Sequence, residues 1–137
     1  MCGDDKNYGI EDNSYNAAGG FSGLTALVDS FYENMDLLPE AQSIRAMHKS
    51  DLTESRKKLA YFLSGWLGGP KLYSENFGGI RIPKAHQHLP IGRDEVEAWM
   101  LCMQKAVDIQ PYEEPFKVYL IEQLRVPAER ILLACEV

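Results

Sequence analysis

The chain has little that would commit it to zinc, nucleic acid or membrane. Its three cysteines, Cys2, Cys102 and Cys135, are far apart, with no CxxC pair and no zinc spacing. They read as reduced thiols rather than a disulfide framework. No cluster of five or more basic residues occurs, and the formal net charge is −6, which argues against a nucleic-acid surface. No apolar run approaches the roughly 20 residues of a membrane span. The N-terminus, MCGDDKNYGIEDN, is acidic and polar, unlike a signal or transit peptide. The expectation is a cytoplasmic protein with neither nucleic acid nor membrane as partner. Common catalytic signatures are missing as well: there is no HExxH, no GxxxxGK[ST] phosphate loop and no GxSxG nucleophile elbow. No segment alternates with period 2, so a half-buried sheet is not expected.

What is present is helical periodicity. The 137 residues, 45% of them hydrophobic, suffice for one domain with a core. Residues 1–12 read as a loose leader before a single domain at 13–137. Asp12, Asn13 and Ser14 offer caps for a short helix stopped by Gly19-Gly20. Ser22 is placed to cap the next helix, whose apolar stripe is Leu24, Leu27, Val28, Phe31, Tyr32 and Met35. A short helical turn is expected from Glu40 to Met47. Asp51 and Glu54 make a capping-box-like start for a third helix, striped by Leu59, Phe62, Leu63, Trp66 and Leu67. Gly68-Gly69-Pro70 ends it. From Gly68 to Gly92 no period is visible, and a gap of that length suggests a functional loop. Helix returns with Asp94 and Glu95 in its first turn and a stripe of Val96, Trp99, Met100, Met103 and Val107. Pro111 suits the first turn of a last helix, striped by Phe116, Tyr119, Leu120 and Leu124. Pro127 is expected to kink or end it, with a further terminal helix over 128–135. The fold class is all-α: four main helices and one long irregular span.

Three histidines carry most of the candidate chemistry: His48, His86 and His88. His86 and His88 are two apart, which separates them on a helix and argues against one shared metal. Both precede the break Pro90-Ile91-Gly92 and a helix with Trp99 on its apolar face. A histidine outside a helix, beside an apolar wall with one indole N–H in it, suits a haem iron. Tyr32 and Trp99 each bring a donor that needs a partner if buried, and together they could converge on one polar ligand. Plain core packing is the alternative for the whole aromatic set.

The motifs resemble those of the truncated haemoglobins, second group, over about residues 15 to 125. They are Tyr15 with Gly19-Gly20, FYENM at 31–35, LPEAQSIRAMH at 38–48, ESRKKLAYFLSGWLGGP at 54–70, His86 five residues before Ile91-Gly92, and EAWMLCM at 97–103. The resemblance implies a two-over-two helical sandwich around one haem b. It matches His86 to the proximal iron ligand and leaves His88 unmatched. Tyr32 matches the distal tyrosine and Trp99 the characteristic tryptophan. Ser55 and Leu59 fall on the distal side, and Phe62 on the porphyrin edge. His48 falls at a helix corner, either donating at the pocket rim or serving as a sixth ligand. Ile91, Val96 and Met103 are implied as haem wall. Ala85 and Pro83 stand where relatives place arginines, so Lys58, Tyr73, Arg81 and Lys84 remain the candidates for the propionates.

The implied activity is binding of O2, and of NO or CO, at a pentacoordinate or partly hexacoordinate iron. A hydrogen bond to a charged group contributes about 1.5–3 kcal/mol, so each distal donor slows ligand loss by roughly 10- to 150-fold. Such a site suits retention, scavenging or sensing better than bulk transport. The rival classes are a haem enzyme acting on peroxide or nitric oxide, and a haem-free helical interaction module. An unidentified reductase and a monomer or weak homodimer complete the expectation.

Overall fold

The computed structural model describes residues 8–78, 89 and 91–136. Its helices are α1 (Asn13–Ala17), α2 (Gly20–Leu37), α3 (Gln42–Ala46, entered through a 3-10 turn at Pro39–Ala41), α4 (Thr53–Trp66), α5 (Leu72–Phe77), α6 (Arg93–Asp108) and α7 (Glu114–Glu136). Among the described residues there is no strand, and no helix is long and apolar enough to cross a membrane.

The apolar stripes explain how the helices pack. The expected stripe of α2, from Leu24 to Met35, is buried throughout. Its width lets α2 pack on both α4 and α6, and α6 packs in turn on α7. Two helix pairs are therefore laid one over the other. Fully buried Phe31, Leu63, Met103, Phe116 and Leu120 fill the space between them. Asn34 adds a polar tie, its Nδ2 donating to the Cys102 carbonyl at 3.0 Å.

Two glycines set the turns. Gly19 precedes α2 at φ +88°, a left-handed conformation that L side chains rarely adopt. The cap is therefore this glycine, and the helix begins ahead of Ser22, which lies inside its first turn. Gly68 ends α4 at φ +91°, where a Cβ would lie 1.8 Å from the Glu11 carbonyl oxygen. The Tyr15 amide donates to the Leu67 carbonyl across the same junction, at 3.1 Å.

Several expectations are corrected. Residues 8–12 of the expected leader are not loose: the Tyr8 ring packs on Phe116 and Tyr119, and the Gly9 amide donates to Ser14 Oγ. The gap after Gly68 contains α5, a six-residue helix too short to show a period. The cap position of α4 is Leu52, without a side-chain cap, and Asp51 just before it accepts from the Thr53 amide and hydroxyl. Glu54 completes no box and pairs with Lys58 instead. Pro115, not Pro111, occupies the first turn of α7. That helix continues through Pro127 to Glu136 as one element, so neither an end nor a separate terminal helix appears there.

Candidate functional site

A cavity of about 300 Å³ lies between the helix pairs. Its walls follow from the stripes. α4 contributes Ser55, Lys58, Leu59, Phe62 and Leu63, spaced to fall on one face. α6 contributes Glu95, Val96 and Trp99, with Ile91 just before it. Tyr32 enters from α2, Ile44, Met47 and His48 from α3 and its end, and Tyr73 from α5. Leu124, Pro127, Ala128 and Ile131 of α7 close the remaining side.

The polar groups at the cavity are few. Tyr32 is 5% exposed, and burial pushes its phenol up to about 12, partly offset by the Arg56 charge. Tyr32 is therefore a neutral donor, with burial further disfavouring its ionised form. Among the described residues its hydroxyl reaches only the Ser55 carbonyl, at 3.5 Å, the outer limit of a hydrogen bond. The indole of Trp99 packs edge-on against Phe31, with ring centroids 5.1 Å apart. Its N–H donates to no described residue. The His48 ring stands edge-on to Tyr32 at 5.8 Å. His48 Nδ1 lies 2.8 Å from the Ile44 carbonyl oxygen. A carbonyl only accepts, so Nδ1 carries the proton and Nε2 presents a lone pair. That tautomer suits ligation or acceptance and removes His48 as a neutral donor.

Among the described residues Glu95 is the one carboxylate on the cavity wall. One oxygen accepts from the Gly92 amide at 2.9 Å, and the other from Ser43 Oγ at 3.1 Å. The Gly92 amide first, with Ser43 adding, holds its carboxyl below the usual range. Glu95 thus closes the start of α6 and ties it to α3. Lys58, at the cavity edge, also lies 3.6 Å from Glu54 and over the Phe77 ring.

The structure brings together Tyr32, Trp99, His48, Ser55, Leu59, Phe62, Ile91, Val96, Tyr73 and Lys58 at this one cavity. Met103 does not reach it: it is fully buried in the core behind the wall. His86, Arg81 and Lys84 lie outside the described residues, as does His88. Sequence reasoning missed Ile44, Met47, Glu95 and the α7 group. For α7 a signal existed, since Leu124, Ala128 and Ile131 repeat at helical spacing once the helix is allowed through Pro127. Among the described residues no group of three or more His, Cys, Asp or Glu could hold a bare metal ion.

The lining suits a largely apolar group with an anionic edge. The walls are aliphatic and aromatic, two donors lack a good acceptor among the described residues, and a lysine stands at the edge.

The comparisons with known proteins agree with that geometry. The bacterial-like globin family profile matches residues 13–129. The chain is 34% identical, over 80% of its own length and 80% of the relative's, to the group 2 truncated hemoglobin YjbI of Bacillus subtilis (strain 168). Among solved structures it is similar to the group II 2-on-2 hemoglobin of Agrobacterium tumefaciens, with TM-score 0.82 and 36% identity, covering 86% of this chain and 92% of that one. It is also similar to the truncated oxygen-avid haemoglobin of Bacillus subtilis, with TM-score 0.79 and 34% identity, covering 87% and 98%.

Proposed function

We propose, from the premise that this chain belongs to the bacterial-like globin family as a group II truncated haemoglobin with the two-on-two fold, that it binds haem b and retains diatomic ligands, O2 first among them. When bound, haem would supply an iron able to take a diatomic ligand, with His86 the residue that would hold the iron. The carrying observation is that Tyr32 and Trp99, on separate helices, line one apolar cavity with donor capacity that, beyond the 3.5 Å bond of Tyr32, no described residue takes up. An oxygen-avid relative of the same fold supports O2 as the ligand.

Each residue has a role in this reading. His86 is the proximal ligand, on its spacing to Ile91-Gly92 and Trp99. Tyr32 and Trp99 donate to a ligand that gathers negative charge, and the water-poor walls strengthen both bonds. Ser55 leaves the space above them open, and Leu59 packs beside it. Phe62, Ile91 and Val96 pack the porphyrin faces and edges. Lys58 and Tyr73 line the cavity and would meet the propionates, with Arg81 and Lys84 the further candidates from the sequence. His48 presents its Nε2 lone pair, so it serves as a sixth ligand or an acceptor.

Visible spectra of the ferric, ferrous and gas-saturated protein test the haem reading, with His86→Ala and His88→Ala beside the parent. His86→Ala is expected to lose haem or give a ligand-deficient spectrum, while His88→Ala keeps the parent spectrum. Normal ligation in His86→Ala would overturn the proximal assignment. Turnover of peroxide or nitric oxide with a reductant, absent from the parent protein, would leave retention alone as the function.

A further inference from the structure

The charge of this chain is unevenly distributed. Residues 54–78 hold four cations against two anions, a formal +2, while the whole chain carries −6. The cations are Arg56, Lys57, Lys58 and Lys71, on α4 and before α5. Arg56 is paired with Asp29 and Lys58 with Glu54. Lys57 and Lys71 are exposed and have no carboxylate partner among the described residues. Glu75 is the remaining anion on this face.

The same face is aromatic. Lys57 Nζ sits 5.5 Å from the Tyr61 ring centroid and Lys58 Nζ 5.3 Å from that of Phe77. Tyr61 touches Phe77 at 6.1 Å and Phe21 at 5.8 Å. Phe77 and Phe21 are 38% and 36% exposed. Inward, Phe77 meets Tyr73 at 5.1 Å, and Tyr73 meets Phe62 at 6.5 Å. Tyr73 and Phe62 line the cavity. A series of rings thus runs from the cavity wall to a cationic, partly apolar surface on an otherwise acidic protein.

We propose that the α4–α5 face is the docking surface for an acidic protein that donates single electrons to the haem. This rests on the haem reading above. A local positive patch on a negative chain orients an acidic partner and repels it elsewhere, which sets encounter rate and register more than affinity. The exposed rings give the docked partner an apolar centre inside a charged rim. The step is outer-sphere: one electron leaves the partner's reduced flavin, which becomes its one-electron-oxidised form, and Fe(III) becomes Fe(II). No bond forms or breaks.

The test uses flavodoxin, an acidic flavin protein, as probe. Soret spectra of parent, Lys57→Glu and Lys105→Glu come first, so that loss of haem is scored against the haem reading and not against docking. Binding of oxidised flavodoxin to each ferric protein is then measured by titration calorimetry at low and moderate salt. Lys57→Glu is expected to weaken binding about tenfold and to slow reduction by flavodoxin hydroquinone by a similar factor. Lys105→Glu makes the same charge change on α6 and is expected to stay within about twofold of the parent. Reduction by photoreduced deazariboflavin, small and uncharged, is expected to be unchanged in both. Moderate salt is expected to weaken parent binding and to erase most of the Lys57→Glu difference. Equal effects of the two variants, or salt-independent binding, would overturn the proposal. So would undetectable flavodoxin binding alongside Lys57-dependent binding to phosphatidylserine-containing vesicles.

Discussion

Two polar regions of this molecule are built on opposite terms. On the outer face of α6 and α7, Arg93, Glu97, Arg125 and Glu129 form a closed cluster in which each carboxylate meets both guanidiniums. Inside the cavity, Tyr32 makes one hydrogen bond at the limiting distance, and the Trp99 indole makes none with a described residue. Both regions touch the same helix, α6. The cluster pairs its charges with one another where water could have solvated them at no cost. The cavity leaves capacity unused on an apolar wall, where no described residue takes it up. Open donors in an apolar space mark where a ligand is to sit, and paired ions at the surface mark where two helices are held in register.

If that contrast is right, interior substitutions change ligand kinetics with little effect on stability, and the surface cluster does the reverse on a smaller scale. The largest effects belong to Tyr32→Phe and Trp99→Phe. Each is expected to speed O2 dissociation by roughly 10- to 150-fold, the equivalent of one hydrogen bond to a charged acceptor. Stopped-flow release measures it. The double variant is expected to fall short of the product of the two if both donors meet one ligand. Unchanged release in both single variants would break the comparison at its interior half. Thermal unfolding of Tyr32→Phe should barely move, because only a 3.5 Å bond is lost from the folded state.

A spectral effect of intermediate size is expected at His48. Its Nδ1 proton is committed to the Ile44 carbonyl, leaving Nε2 as a lone pair beside Tyr32. Without an exogenous ligand, a partly low-spin, six-coordinate iron is expected, and His48→Ala should lower that fraction. Electron paramagnetic resonance and visible spectra of the two proteins decide it. The same low-spin fraction in both would leave His48 as an acceptor at the cavity rim.

These residues also show what the sequence makes legible. The stripe of α2 was readable because a helix packed on two neighbours repeats its apolar residues at 3 and 4 without interruption. Tyr32, Trp99 and His48 were placed by motif resemblance, and the fold brings them to one cavity. α5 was hidden because six residues are fewer than two turns and carry no period. The passage of α7 through Pro127 was hidden because proline disfavours a helix interior locally, while burial of Leu124, Ala128 and Leu132 against the core holds this one together. Glu95 was legible as an acid in the first turn of α6, but its tie to Ser43 was not, since a hydrogen bond between residues 52 apart leaves no local trace.

The smallest expected effect sharpens the outer half of the comparison. Glu97 is held below the ordinary carboxylate value of 4.5 first by its hydrogen bond from Arg125, and Glu129 first by its bond from Arg93. A carboxyl depressed in the folded state stabilises the fold above its unfolded value, and that contribution is lost as pH falls through the folded value. The cluster therefore contributes at neutral pH and fades only below about pH 4.5. Because its members lie in solvent, the contribution is small. Arg125→Ala is expected to lower Tm at pH 7 by at most about 3 °C. That difference should shrink in high salt, which screens exposed ions, and vanish toward pH 3 as both proteins protonate the same carboxyls. O2 release should be unchanged, since the cluster faces away from the cavity donors. A Tm difference that persists at pH 3 would mean that Arg125 works through its aliphatic stem on α7, and that the outer face is held by packing rather than by charge.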